Sequence, residues 1–518
     1  MKTIVACLLT AAALSSAAFI GPIGRPDDVR VSLTLVKEPR RLPVPGVVRF
    51  RGADGSVIRP ASLVSRGWGL DRAAAISEWC VVPGEVPVDL PAEKISIEAV
   101  SGIETDLAQV SVDLSKDGPR AIKIPIRQFS DLRKAGWFGA NTHLHLSKLT
   151  REESDRYLLQ VPAADRLDLL FISMLERADD DRGYITNEYP AGRQKQLESR
   201  GVHVSNGEEH RHNFGPQGEG FGHVMLLGIK EFVRPASIGF GISKQHPDAP
   251  PIRTGIDNAR EQGGTAIWCH NNWGFEDVPN WLGGRLDAQN IFDGGSHGGY
   301  EDSFYRYLNA GLKVPFSTGT DWFMYDFSRC YARVDGELSP ESWLAALRAG
   351  RTFITNGPLL KLSVNGSEPG ATIELAKPSE LRVEVTARGR LDFGQLELIK
   401  NGRVIESATA QTSAFGFSFN LNVRVNAEEP CWLAARTTTT AKNEYGQPLF
   451  AHTSAIYITV AGRTISRDED VRFLLSQLES ARSTIAAKAR FDTDRQRDSV
   501  LQLYDQSAAT LRSKLGND

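Results

Sequence analysis

One stretch constrains this chain more than any other: Gly136-Trp137-Phe138-Gly139-Ala140-Asn141-Thr142-His143-Leu144-His145-Leu146. Two histidines, two positions apart, follow a short apolar run. On a β-strand, residues i and i+2 project from the same face. At a strand end both imidazoles therefore converge on one point, which is how a chain presents two nitrogen ligands to a metal ion. Such a device needs a sheet to hold it and further ligands from other strands.

The sequence after Asp131 offers both. Apolar strand-like runs alternate there with helical stretches. Leu167 to Ile172 is apolar apart from Asp168. Val202-His203-Val204-Ser205 leads into Gly207-Glu208-Glu209, Val224 to Leu227 follows Gly222-His223, Thr265 to Cys269 ends at His270, and Leu312 to Ser317 ends at Gly319-Thr320-Asp321. Ile256 to Gln262 and Tyr305 to Ala310 are helical candidates between them. This alternation predicts an α/β domain with a mainly parallel sheet or barrel over residues 131–360. In such folds ligands bind at the carboxyl ends of the strands. His143, His145, Glu209, His270 and Asp321 all fall at the ends of strand-like runs.

The flanks have a different rhythm. With 518 residues, two to four domains are expected, at roughly 150 residues each. Residues 29–36 alternate apolar and polar, Val47 to Phe50 and Val57-Ile58 flank the turn Asp54-Gly55, and Ile95 to Ile97 and Val110 to Leu114 alternate again. Period two predicts half-buried strands, and their regular spacing predicts a β-sandwich over 19–130. A second is expected over 361–462, where Leu396 to Ile399 and Val404-Ile405 flank Asn401-Gly402, a type I′ hairpin signal. Phe415 to Val425 carries apolar residues at every second position. Residues 463–518 read as a hairpin of two amphipathic helices, with Ser466/Glu469 and Thr493/Gln496 at capping-box spacing. Their apolar stripes predict packing and no chemistry.

The candidate ligand set is His143, His145, Glu209, His223, His270 and Asp321. Histidine and carboxylate together suit one or two divalent ions of zinc, manganese or iron. Glu209 fits a bridging carboxylate, with His143, His145 and Asp321 on one side and His223 and His270 on the other. Glu209, Asp321 and His270 are also the candidate catalytic residues. Asp321 has an alternative reading as the cap of a following helix. His210 and His212 form a second such pair, in a Gly- and charge-rich segment that predicts solvent exposure. His246 and His297 read as loop residues and His452 as structural. Arg177, Arg211 and Trp273 are candidates to contact a substrate.

No nucleophile elbow and no phosphate-cradling P-loop is present. A net charge of -3 gives no basic excess for a nucleic-acid partner. Cys80, Cys269, Cys330 and Cys431 form no metal-binding pair and read as buried free thiols.

His143-Leu144-His145, Gly207-Glu208-Glu209, Gly222-His223-Val224, His270 and Gly319-Thr320-Asp321 together resemble the PHP (polymerase and histidinol phosphatase) superfamily. Arg333-Val334-Asp335-Gly336, the segment Trp343 to Phe353 and Thr355-Asn356-Gly357-Pro358 resemble its CehA/McbA branch. The resemblance spans about residues 131–365. It implies a distorted seven-stranded β/α barrel with a metal cluster at its carboxyl end, and hydrolysis of a small-molecule ester, carbamate or phosphoester. Two positions depart from the family pattern. Ser173-Met174-Leu175 stands where Thr-Asp-His is common, and Asp321-Trp322-Phe323 where Asp-x-His is common. Both missing histidines serve a third metal in the family, so two ions at most are expected. An amidohydrolase-type enzyme, or a non-catalytic periplasmic binding protein with a degenerate site, are the competing readings.

The first residues read as an export signal over 1–18: Lys2, a short apolar run, and Ser16-x-Ala18 at the cleavage positions. The run is too short to span a bilayer. An exported protein, periplasmic or extracellular, with no membrane attachment after cleavage, is expected. N-terminal sequencing of the protein from its native host should return a mature chain beginning near Phe19.

Overall fold

The computed structural model describes residues 28–115, 118–176, 189–213, 220–242, 246–270, 275–295, 299–301 and 304–515. The expected signal segment lies outside these residues, as do Arg177, Trp273 and His297. No helix among the described residues is long and apolar enough to cross a membrane.

The Trp137–His145 strand is central. It pairs in parallel with Leu169–Met174 on one side. On the other it pairs in parallel with Asp321–Trp322 and antiparallel with Arg329–Arg333. Leu169–Met174 runs parallel to His203–Asn213, which is antiparallel to Gly220–Leu227. Gly220–Leu227 is antiparallel in turn to Thr265–Trp268, and Ala288–Asn290 and Phe316–Ser317 follow in parallel. The Thr318–Thr320 segment then returns to the first strand. The Thr320 N–H donates to the His143 carbonyl at 3.0 Å, and the Thr142 N–H to the Thr318 carbonyl at 3.5 Å. A Cβ on Gly319 would lie 2.4 Å from the His143 Cβ, so only glycine admits this approach.

The strands form where the apolar runs are. Leu169 to Ile172 is buried at every position, the pattern of a strand covered on both faces. The sheet is less parallel than the alternation predicts, because Gly220–Leu227 runs against both its neighbours. That reversal has a use: it brings the beginning of this strand, with His223, to the edge where the parallel strands end. The expected Leu312–Ser317 strand is ordered as strand only at Phe316–Ser317. Helix Arg151–Ala164 begins on a Thr150/Glu153 capping box, and helix Ile252–Glu261 turns Ile252, Ile256 and Ala259 inward.

Near the N-terminus, Asp28–Lys37 pairs with Ala121–Ile126 and Val86–Pro91. Gly46–Arg51 pairs with Trp79–Val82, Val57–Ile58 and Lys94–Val100, which pairs with Ala108–Asp113. Leu33, Leu35, Phe50, Ile97 and Ile124 share one apolar cluster between the two groups. Near the C-terminus, Gln395–Lys400 and Arg403–Thr409 form the expected hairpin, with positive φ at both Asn401 and Gly402. This region is continuous with the central sheet, because Ala451–Thr453 pairs with Thr352–Thr355 and that strand with Arg329–Arg333. His452 is buried and bonded to the Tyr305 hydroxyl at 2.7 Å, a structural role.

Helices Asp468–Lys488 and Asp494–Lys514 close the molecule. Val471, Leu474, Leu478, Ile485, Leu501, Tyr504 and Leu511 enter the same core as Trp281 and Phe304. Thr493 and Gln496 form their capping box. Ser466 and Glu469 do not: the first helix is capped at Arg467 with no side-chain bond, one residue later than the spacing implied. The four described cysteines are free and buried.

A buried ion pair ties the N-terminal sheets to the centre. Arg66 and Asp165 both have fully buried side chains, and Arg66 Nε donates to Asp165 Oδ1 at 3.0 Å. The same guanidinium donates to the carbonyls of Met324 and Asp326, in the loop after Asp321. Burying one partner alone is the costly case. Asp165→Ala should destabilise the fold by about 3–5 kcal/mol in a denaturant titration, and Arg66→Met with Asp165→Leu by clearly less.

Candidate metal centre

The central strand ends on His145, and its last turn of pleat sets His143 and His145 on one face. Their Nε2 atoms lie 2.9 Å apart. Glu209 Oε2 is 2.9 Å from His145 Nε2 and 3.8 Å from His143 Nε2. Asp321 Oδ1 is 3.4 Å from His143 Nε2 and 3.6 Å from His145 Nε2. The other Glu209 oxygen faces elsewhere: Oε1 is 3.0 Å from His223 Nδ1, which is 3.3 Å from His270 Nε2. The structure therefore brings all six residues into two groups that share one carboxylate.

Each residue is there for a local reason. Glu209 and Glu208 are strand neighbours and face opposite sides. Glu208 turns away, to His210 Nδ1 at 3.1 Å and the Val233 N–H at 2.7 Å. Asp321 does not cap a helix; it opens the short strand paired to Leu144. His270 and Asp321 have φ of 65° and 55°, a left-handed backbone that non-glycine residues adopt at a cost.

The hydrogen bonds behind the imidazoles determine what the front can do. His143 Nδ1 lies 2.6 Å from Asp293 Oδ2, and His145 Nδ1 lies 3.0 Å from the Ser173 carbonyl oxygen. A carbonyl oxygen and a carboxylate only accept, so both Nδ1 atoms carry hydrogen. In the neutral imidazoles both Nε2 atoms then carry the lone pair. They point at each other and at two carboxylate oxygens inside a buried space. In that form four electron-rich atoms at this spacing repel one another unless a proton or a metal cation lies among them.

A proton on His143 answers the same need for positive charge. Burial works against charge on His143, yet Asp293 and Asp321 outweigh it and hold the imidazole well above its ordinary value. Burial pushes the Glu209 carboxyl up, but His223, His143 and His145 outweigh it and hold it well below. Burial raises Asp321. Asp293 is likewise pushed up by burial, but the His143 charge prevails and lowers it. Burial and then the Arg211 charge bring His223 down to about 4, so at neutral pH it is a neutral ligand.

Asp293 escaped sequence reasoning. It follows the brief Ala288–Asn290 strand, and no spacing relates it to a histidine 150 positions earlier in the chain. Its place behind a ligating imidazole is the carboxylate–histidine–metal arrangement. Cys269 also lies near His143, but burial pushes its thiol up to about 12, so it stays protonated and is a poor ligand. Where the family pattern has third-metal histidines, Leu175 and Phe323 are both buried and apolar.

His210 and His212 correct the expectation of solvent exposure. Both are buried, because the strand continues to Asn213 and pairs with Gly220–Leu227. His212 stacks on Phe221 with ring centroids 3.9 Å apart. Burial holds it at about 4. Arg211 sits directly across the strand pair from His223.

No family model matches the chain, and no curated protein is similar to it. Among solved structures, a two-domain protein from Bacteroides vulgatus ATCC 8482 containing a predicted PHP-like metal-dependent phosphoesterase is 12% identical. It covers 62% of this chain and 95% of its own, with a TM-score of 0.34. An engineered protein is 11% identical over 59% of this chain and 52% of its own, with a TM-score of 0.15. Neither likeness is close enough to assign a function, which has to come from the site.

Removing the support behind a ligand tests this geometry. Asp293→Asn keeps the shape but loses the anion that orients His143. Its affinity for zinc, measured by competition with a chromogenic chelator, should fall about 10–100-fold.

Proposed function

We propose that this chain is an exported metal-dependent hydrolase of the PHP type, resembling the CehA/McbA branch, that cleaves a phosphoester, ester or carbamate bond. One observation carries this: His143 Nε2, His145 Nε2, Glu209 Oε2 and Asp321 Oδ1, four potential metal donors, converge on one point, while Glu209 Oε1 faces His223 and His270. The donor set of histidine nitrogen and carboxylate oxygen fits zinc, manganese or iron. The sheet pairings described above accord with the distorted seven-stranded barrel that the resemblance implies. Export rests on the N-terminal sequence alone.

The residues present would hold two ions, one in each group, with Glu209 between them. Ions bound there supply Lewis-acid charge to the scissile group and lower the pKa of water to about 7. The protein does the rest. Asp293 and the Ser173 carbonyl keep His143 and His145 in the tautomer that leaves Nε2 available. Glu209, charged at neutral pH, balances the positive charge of both groups. Asp321, whose carboxylate borders the first group, is the residue assigned to take up and return a proton during hydrolysis. Arg211, across from His223, offers a fixed cation to a substrate anion and favours a phosphoester among the three bonds.

Glu209→Gln separates this enzyme from a binding module. A neutral amide compensates two cations poorly, so bound metal by elemental analysis should fall below one ion per chain. Hydrolysis of a p-nitrophenyl phosphate, acetate or carbamate panel should drop at least 100-fold. Wild-type metal content and rate in this variant, or three tightly bound ions in the parent, would defeat the proposal.

A further inference from the structure

A second polar site lies at the other end of the same strands. A pocket of about 210 Å³ opens in the seam between the N-terminal sheets and the central one, lined by Lys37, Ser101, Arg133, Arg166 and Arg200. Four of these side chains are cationic. Arg133 is answered by Asp168 in a close ion pair. Among the described residues, Lys37, Arg166 and Arg200 have no carboxylate within ion-pair reach. Arg166 and Lys37 are only partly exposed, so water does not fully answer their charge.

Their placement is imposed by the backbone. Arg166 and Arg200 have φ of 56° and 51°, in turns that lead into the Leu169–Met174 and His203–Asn213 strands. Arg166 is held from behind, its carbonyl accepting from Arg133 Nη2 at 3.3 Å. Gly102, where a Cβ would lie 2.9 Å from the Arg166 Cβ, lets the chain pass close. Lys37 arrives from the end of the Asp28–Lys37 strand. Elements distant in sequence thus deliver like charges to one concavity. Like charges repel: burial and then the Arg133 charge lower the proton affinity of Arg166, and burial and then Arg166 lower that of Lys37, with Glu104 and Asp131 offsetting this only in part. An anion between them removes both penalties.

We propose that this pocket binds a phosphate group, free or carried on a small molecule, at a site separate from the metal centre. Two guanidinium forks and an ammonium together suit a phosphate group, whose oxygens can answer all three cations, where a single carboxylate offers only two oxygens. The concavity has room for a phosphate group, and a chain of net charge -3 has no general basic surface for a polymer. The pocket stands at the beginnings of strands whose far ends carry Ser173 and Glu209, roughly 20 Å away at about 3.3 Å per residue. It therefore does not depend on the metal centre being catalytic.

Calorimetric titration of the full chain, metal-loaded, with inorganic phosphate, glycerol 3-phosphate and succinate tests the assignment. Arg166→Gln should weaken phosphate binding at this site at least tenfold. Arg200→Gln, on an exposed side chain that does not threaten the fold, should weaken it at least threefold with an unchanged melting temperature. Tighter binding of glycerol 3-phosphate than of phosphate would identify an esterified ligand, and equal binding the free ion; both support the site. No phosphate binding, identical isotherms for the parent and both variants, or succinate bound as tightly as phosphate would overturn it.

Discussion

The carboxylate of Glu209 is the interaction on which the site depends. One oxygen faces the pair of imidazoles on the central strand and the other faces His223 and His270. A single buried anion thus links ligands from four strands and loops. Its charge is tolerable only because nitrogen donors surround it, and their crowding is tolerable only because it is an anion. Each half of the arrangement would be unfavourable without the other.

Holding these groups at that distance needs a stiff frame with strained corners. Gly319 lets the returning segment lie against the His143 backbone, and His270 and Asp321 sit in left-handed conformations just beyond their strands. Such backbone is kept only where the surrounding structure over-determines it. Here the surroundings are the closed run of strand pairings, the Arg66–Asp165 pair beneath the Asp321 loop, and the C-terminal helices against the far side of the core. The N-terminal β region shares a core with the centre and the C-terminal one shares both a core and strand pairings, so both serve as part of that frame.

Much of the local structure was legible in the residues. Period-two alternation marked the strands near both ends, Asn401-Gly402 marked its hairpin, and Thr493 with Gln496 marked a helix start. These are readable because they depend on neighbours within a few positions. Ser466 with Glu469 had the same spacing and formed no box, because the first turn starts one residue later. His210 and His212 looked like loop residues, and tertiary pairing with Gly220–Leu227 buried them. Polar composition predicts exposure only when no second strand arrives to cover it.

The sequence by itself determined which side chains are available for the site: two histidines at strand spacing, and Glu209, His270 and Asp321 at the ends of apolar runs. Alternation and period-two geometry are properties of the local backbone, so they survive reading without coordinates. Tertiary structure alone decided how those side chains meet. The antiparallel course of Gly220–Leu227 carried His223 to the ligand edge. Asp293 came to stand behind His143, and the Ser173 carbonyl behind His145. None of these is encoded by spacing, because each arises between residues that only the closing of the sheet brings within a hydrogen bond of each other.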